Sequence, residues 1–361
     1  MKNLKSLVRN LAKKIMSQPA VAYHEQYVNA AVVDICREYG LDYKHDQFGN
    51  IHVNVSNGRK GKPVYYVAHM DHPGFEVVSG SRTKENLKVR FLGGVPKSYF
   101  KKGSKLKFYP GEIPGTLISE LKGNKVYSVK LSNAYKTRPE FGVWDIPAFD
   151  NCGDQISGRA CDDLMGLTAL MAGLISFKNS GQKGRVLGLV TRAEEVGFHG
   201  ALAAAAAKTI PSNGLYVSLE NSKELPPVKM GKGVVIRSGD RLSQFDSNGV
   251  YFLSRVAEDL GKKSTSFKFQ KALMPGGACE ATGFQHHGYR VAAMCIPLGN
   301  YHNCGLKNKI VQEYVSLSDT VSMAQLITES ASRFAEYELF SRQASDRLNK
   351  LTHEALEKLS K

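Results

Sequence analysis

Cysteine is scarce in this 361-residue chain, which has only six. Cys36, Cys152, Cys161, Cys279, Cys295 and Cys304 include no Cys-x-x-Cys pair. That excludes a zinc ribbon and a disulfide scaffold and fits a reducing compartment. Long apolar runs are also missing. Nothing approaches the ~20 residues of a membrane span, and the basic N-terminus lacks the apolar core of roughly 7–15 residues that a signal peptide needs. The sequence therefore points to a cytoplasmic protein with no membrane partner. Gly-x-Ser-x-Gly, a Walker A loop, a complete Gly-x-Gly-x-x-Gly and His-Glu-x-x-His are all absent, which removes the chemistries those motifs carry. Acidic residues are the minority charge, 33 against 49 Lys and Arg, for a net charge of +16. Such an excess can serve nucleic acid, a membrane surface or acidic substrates. Here the bases are scattered; Arg59-Lys60 with Lys62, Lys101-Lys102 and Lys262-Lys263 are only short clusters. A non-catalytic nucleic-acid-binding protein needs a basic face with stacking aromatics. Nothing in the sequence shows the 16 Tyr and 16 Phe gathering with lysines, so no nucleic acid is expected.

What is present is an α/β pattern. Residues 26–39 carry apolar positions at helical spacing and residues 51–55 alternate like a strand. Residues 64–68, 186–190, 215–219 and 291–296 are short runs apolar on both faces, as buried strands are. Helical stretches lie at 164–177 and 200–208, and another at 317–337 with Ser318 as its cap. Residues 75–154 read differently: 86–91, 105–109 and 125–131 are rich in β-formers and separated by turn signals such as Gly93-Gly94 and Pro110-Gly111. The predicted fold is a mixed-sheet α/β sandwich with a small all-β insertion. The divisions are 1–74 with 155–340 for the main domain, 75–154 for the insertion, and 341–361 for a polar helical tail. That tail has a thin stripe of Leu348, Leu351, Leu356 and Leu359.

Several of the buried strands run into polar residues that do not belong in a core. His69 and Asp71 follow the first, Glu194-Glu195 the second, Glu220 the third, and His302 comes six residues after the fourth. In open α/β sheets, ligands bind beyond the carboxyl ends of the strands. Asp162-Asp163 stands just before the helix at 164. Each element alone is ordinary: a His-x-Asp pair, adjacent glutamates or an Asp-Asp helix start usually means a surface or a cap. Together, two histidines and several carboxylates on one edge are a metal-ligand set, suited to zinc and related divalent ions.

Ala68-His69-Met70-Asp71-His72-Pro73-Gly74-Phe75, Arg159-Ala160-Cys161-Asp162-Asp163, Glu194-Glu195-Val196-Gly197 with Gly200-Ala201, and Tyr301-His302 resemble the signature blocks of the di-zinc glutamyl-aminopeptidase, or tetrahedral aminopeptidase, family. Gly231-Lys232-Gly233 and Gly276-Gly277 resemble further landmarks, and the likeness runs in order from about residue 5 to 330. It implies a cytoplasmic metallo-aminopeptidase that removes N-terminal residues from small peptides, with two divalent ions, zinc first and cobalt or manganese as alternatives. Asp162 would bridge the ions, His69 and Glu220 would complete one site, and Glu195 and His302 the other. Glu194 would be the general base toward a metal-bridging water, and Asp71 would orient His69. Those roles suit the chemistry: two ions need a shared carboxylate, and the base must not itself be a ligand. The resemblance also implies self-association, dimers formed through the inserted domain building a hollow dodecamer.

The sequence departs from the family at Glu220, where Asp is usual, and at His72, where an acidic residue is common; His72 reads as a pocket neighbour. The rival family of di-zinc carboxypeptidases and amidohydrolases shares most of these elements, but its insertion comes later in the chain. Here 92 residues separate His69 from Asp162, and 81 separate Glu220 from His302. An exopeptidase must also recognise a free amino terminus, a task Glu194 and Glu220 can share, and the net charge would steer acidic peptides toward the site.

Overall fold

The computed structural model describes residues 2–58, 62–80, 86–121, 125–133 and 135–360. Arg59 and Lys60 lie outside them. In chain order the elements are α1 (Lys2–Met16), α2 (Gln26–Glu38), β1 (Asp42–His45), β2 (Ile51–Asn57), β3 (Val64–His69), β4 (Gly74–Gly80), β5 (Asn86–Leu92), β6 (Lys105–Tyr109), β7 (Ile113–Glu120), β8 (Val126–Leu131), β9 (Phe141–Trp144), β10 (Asp150–Cys152) and β11 (Gln155–Gly158). The second half holds α3 (Leu164–Ser180), β12 (Gly184–Thr191), α4 (His199–Ala206), β13 (Leu215–Lys223), β14 (Val234–Gly239), α5 (Ser247–Lys263), β15 (Phe269–Leu273), α6 (Glu280–His286), β16 (Arg290–Leu298), β17 (Glu313–Ser316), α7 (Leu317–Arg333) and α8 (Glu336–Leu359).

An eight-stranded mixed sheet runs β1-β2-β12-β3-β13-β16-β14-β15. Its centre, β12-β3-β13-β16, is parallel throughout. Parallel strands are covered on both faces, which explains why these four read as unbroken apolar runs. Alternate residues diverge: Val64, Tyr66 and Ala68 of β3 join a core with α1, α3, α5 and α7, whereas Tyr65 and Val67 pack toward α4 and α6. The polar residues at the carboxyl ends of the four strands therefore share one edge.

β4 to β9 close a six-stranded antiparallel barrel in the order β4-β5-β8-β7-β6-β9. Phe75, Phe91, Leu106, Phe108 and Trp144 fill it. Its curvature needs glycine at 115 and 142, where a Cβ would stand 2.7 and 2.6 Å from the Phe108 ring. β10 and β11 follow the barrel and pair with each other, and β11 pairs with β17 of the C-terminal part. The helix expected over 317–337 stops at Arg333, and α8 restarts at Glu336. The N-cap of α7 is Ser316, not Ser318: the Ser316 hydroxyl accepts from the Asp319 N–H, while the Ser318 hydroxyl donates to Asp154. No helix among the described residues is long and apolar enough to cross a membrane.

Candidate metal centre

β3 delivers His69 at its last residue and β13 delivers Glu220 two strand positions beyond its pairing with β3. Asp162 precedes α3, and the Asp162–Asp163 peptide is cis. Glu194 and Glu195 lie in the turn between β12 and α4. His302 sits in a turn after β16 with φ +54°, left-handed like its neighbours Asn300 and Asn303.

These segments bring two sets of ligand atoms together. His69, Asp162 and Glu220 form one; Asp162, Glu195 and His302 form the other, and within each the candidate atoms lie within 4.8 Å of one another. Asp162 belongs to both: Oδ1 stands 3.7 Å from His69 Nε2 and Oδ2 stands 3.6 Å from His302 Nε2. His302 Nε2 is 3.2 Å from Glu195 Oε1. All five residues are buried except Glu195, which is half-buried. Asp162 Oδ1, Glu195 Oε1 and His302 Nε2 are buried and accept or donate no hydrogen bond. Buried polar atoms without a partner cost roughly 1–3 kcal/mol each, and a cation between them removes that cost. The donor set, imidazole and carboxylate, suits divalent zinc and its neighbours.

The electrostatics agree. Burial opposes protonation of His69, yet Glu194, Asp162 and Asp71 outweigh it and push its pKa well above the usual imidazole value. His302 is raised in the same way by Glu195 and Asp162. Burial lifts Glu220 to about 8, and Glu194 well above the carboxylate range, against the opposing pull of His69. So much carboxylate in so little space attracts positive charge.

Glu194 belongs to neither ligand set; its Oε2 lies 3.9 Å from His69 Nε2. Asp71 holds the Glu194-Glu195 turn: its Oδ1 accepts from the Glu194 N–H at 2.9 Å and its Oδ2 from the Glu195 N–H at 3.1 Å. His69 Nδ1 is nearer the Asp71 carbonyl oxygen, 3.1 Å, than its carboxylate, 3.5 Å. His72 stands outside both sets, with Nδ1 2.7 Å from the Asp162 carbonyl and Nε2 3.1 Å from Asn303 Oδ1.

Three supporting residues escaped the sequence reading. Buried Glu313 accepts from the N–H groups of Cys161 (2.7 Å), Asp162 (3.1 Å) and His302 (2.7 Å), tying the two ligand loops together. Buried Glu25 accepts from the Ala193 N–H and from Arg192, fixing the approach to Glu194. Arg237 of β14 is 3% exposed and its Nε has no hydrogen-bond partner. It lines a cavity of about 260 Å³ with Asp162, Glu220, Lys223, Met274 and Tyr301. A carboxylate at a helix start, another at a strand start and an arginine inside a strand carry no spacing signal; only assembly reveals them.

Residues 140–317 match the family model of M42 glutamyl aminopeptidases. The chain carries an M42 glutamyl aminopeptidase domain over that stretch. It is a metal-dependent aminopeptidase, and the family implies divalent metal ions. A search of curated proteins returned no match. Among solved structures, this M42 enzyme is similar to the Pyrococcus horikoshii TET1 peptidase, described as assembling into a tetrahedron or a large octahedral shell. The TM-score is 0.74 at 21% identity, over 90% of this chain and 99% of that one. It is similar to a TET aminopeptidase from a marine sediment Thaumarchaeota archaeon, with a TM-score of 0.75 at 22% identity, over 90% and 97%. An aminopeptidase from Desulfurococcus kamchatkensis gives 0.74 at 18% identity, over 91% and 95%. At these identities the likeness speaks to fold, which the M42 chain shares: a mixed α/β sandwich with an antiparallel barrel.

Proposed function

We propose that the M42 enzyme acts through a binuclear centre, His69, Asp162 and Glu220 holding one divalent ion and Asp162, Glu195 and His302 the other, with zinc the best fit to the donors. The observation that carries this reading is the Asp162 carboxylate, which turns one oxygen to each set. When bound, such a pair of ions supplies Lewis-acid activation of water and of the scissile carbonyl. The chain's own residues do the rest. Glu194, not a ligand, takes the proton from the attacking water on its carboxylate and returns it to the leaving amine. Asp71, by gripping the N–H groups of residues 194 and 195, keeps that base and the ligand beside it in register. The surplus carboxylate charge receives the free, cationic amino terminus of a peptide, so an N-acetylated peptide is rejected.

Arg237 supports a finer reading of the substrate. A buried guanidinium whose Nε has no hydrogen-bond partner, beside the centre, is matched by an acidic side chain on the N-terminal residue. Local recognition by Arg237, more than the net charge of the whole chain, then sets the preference, because the long-range field is screened within ~8 Å at physiological salt. Self-association is part of the proposal: two of the similar structures are described as a dodecamer and as tetrahedral or octahedral assemblies, and the barrel is the proposed dimer surface. The test is hydrolysis of Glu-, Leu- and Lys-p-nitroanilide with and without an acetylated amino group. Cleavage of the free amines only, lost about 10²–10⁴-fold in Glu194→Gln with metal retained, supports the reading. Equal cleavage of acetylated substrates overturns it.

A further inference from the structure

Helix α8 begins inside the core and ends outside it. Tyr337 is buried against Phe252 of α5, with ring centroids 5.8 Å apart, and its hydroxyl reaches Asp246. The apolar row that starts there continues along the helix at Leu348, Leu351, Ala355 and Leu359. Tyr337 stands eleven residues before Leu348, and Leu359 eleven after it. An eleven-residue repeat stays on one face of a nearly straight helix. Beyond residue 345 the row is bare: Leu348 is 64% exposed, Leu351 50% and Leu359 86%. Single exposed leucines are ordinary; an aligned row of them is an interaction surface.

We infer that residues 345–359 pair antiparallel with the same segment of a second copy of this chain. The flanking charges select both the occupant and the direction. Arg347 and Glu354, seven residues apart, border the row on the same side. In an antiparallel pair, same-side flanks meet. Setting Leu348 against Leu351 of the second copy brings each Arg347 to the other copy's Glu354, twice over. The opposite flank offers Ser345 and Thr352, which are uncharged. A parallel pair would set Arg347 beside Thr352 and Glu354 beside Leu359, with no ion pair. The segment is also neutral: Asp346, Glu354 and Glu357 balance Arg347, Lys350 and Lys358, in a chain of net charge +16. Two copies can meet here without the repulsion the rest of the surface carries. An interfacial membrane helix instead carries an excess of Lys and Arg on its polar face, whereas here Asp346, Glu354 and Glu357 balance them.

The test uses the full chain and a covalent reporter, so that other subunit contacts do not mask the result. Leu348→Cys and Leu351→Cys chains are mixed and mildly oxidised, and bonded peptides are mapped by mass spectrometry to separate them from native Cys152, which is exposed. The expected product is the 348–351 bond in the mixture, several-fold over any bond in either chain alone, because like positions are offset by three residues, about 4.5 Å along the axis, which added to the separation of the helices takes their Cα atoms past the ~7 Å that a disulfide spans. Adding Arg347→Glu or Glu354→Arg should lower the yield several-fold, and adding both should restore it. Aminopeptidase activity should be unchanged throughout. Absence of the mixed bond, an equal bond between like positions, indifference to charge reversal, or binding of the native chain to anionic vesicles in place of pairing would each overturn the inference.

Discussion

Replacing Glu313 with Gln perturbs the metal centre without touching a metal ligand. Its two carboxylate oxygens serve three buried N–H groups, one on His302 and two on the Cys161-Asp162 segment. Glutamine keeps the shape but has one acceptor oxygen, so an amide NH2 must face at least one N–H. An orphaned buried donor costs about 1–3 kcal/mol. Against that, burial pushes the Glu313 pKa up to about 7, so removing the charge recovers part of the desolvation cost. The net expected loss of stability is thus modest, about 1–2 kcal/mol after that recovery. The larger effect is on geometry. His302 occupies a left-handed backbone conformation, which costs roughly 1 kcal/mol or more for a residue with a Cβ, and Glu313 is what holds it there. If the ligand loops drift, metal affinity should fall about 10–100-fold, as when outer partners of ligands are removed. Urea unfolding gives the first number, and competition for metal with a chelator gives the second. A Gln variant with unchanged metal affinity would refute the claim that Glu313 positions the centre.

Other outcomes follow from the same contacts. Burial would raise the Asp46 pKa, but hydrogen bonds from His52, Asn50 and Phe48 outweigh it and hold it at about 2. A depressed carboxylate stabilises the fold above its unfolded pKa of ~3.9 and loses that contribution as pH falls toward 2. Asp46→Asn should therefore cost about 1–2 kcal/mol in urea melts near neutrality and progressively less below pH 4; a pH-independent cost would contradict this. Arg237→Met should lower kcat/KM for Glu-p-nitroanilide at least tenfold and leave Leu-p-nitroanilide nearly unaffected. A uniform loss on both would remove Arg237 from substrate selection. Gly233→Ala should fold poorly, since φ is +94° and a Cβ would meet the Lys268 carbonyl oxygen at 1.9 Å; normal yield and melting temperature would contradict that geometry.

The four central strands were legible because both their faces are buried, which leaves a run of Val, Leu, Ala and Tyr ending in one misplaced polar residue. That same ending exposed His69, Glu194-Glu195 and Glu220. Where burial is partial the signal failed. β15 is half-exposed along its length, and the sequence did not single it out. α1 and α5 each bury one side only beneath many charges, and the sequence did not single them out. The barrel announced three of its strands through alternation, but β9 is four residues long, buried throughout and glycine-containing, so its role in closing the ring appears only in three dimensions. The break at Phe334-Ala335 has no proline or glycine to mark it. Among the site residues, metal-ligand types at strand ends stood out, while Glu25 and Glu313, which act on backbone N–H groups far away in sequence, could not.

The central claim is that Asp162 is the carboxylate shared by two divalent ions. Metal content per chain, measured on the purified enzyme and on Asp162→Ala by plasma mass spectrometry alongside hydrolysis of an aminoacyl-p-nitroanilide, tests it most directly. The expected result is two equivalents in the native chain, neither retained by the variant, and loss of hydrolysis with them. Two ions still bound in Asp162→Ala, or a fully active native enzyme with one, would contradict the account.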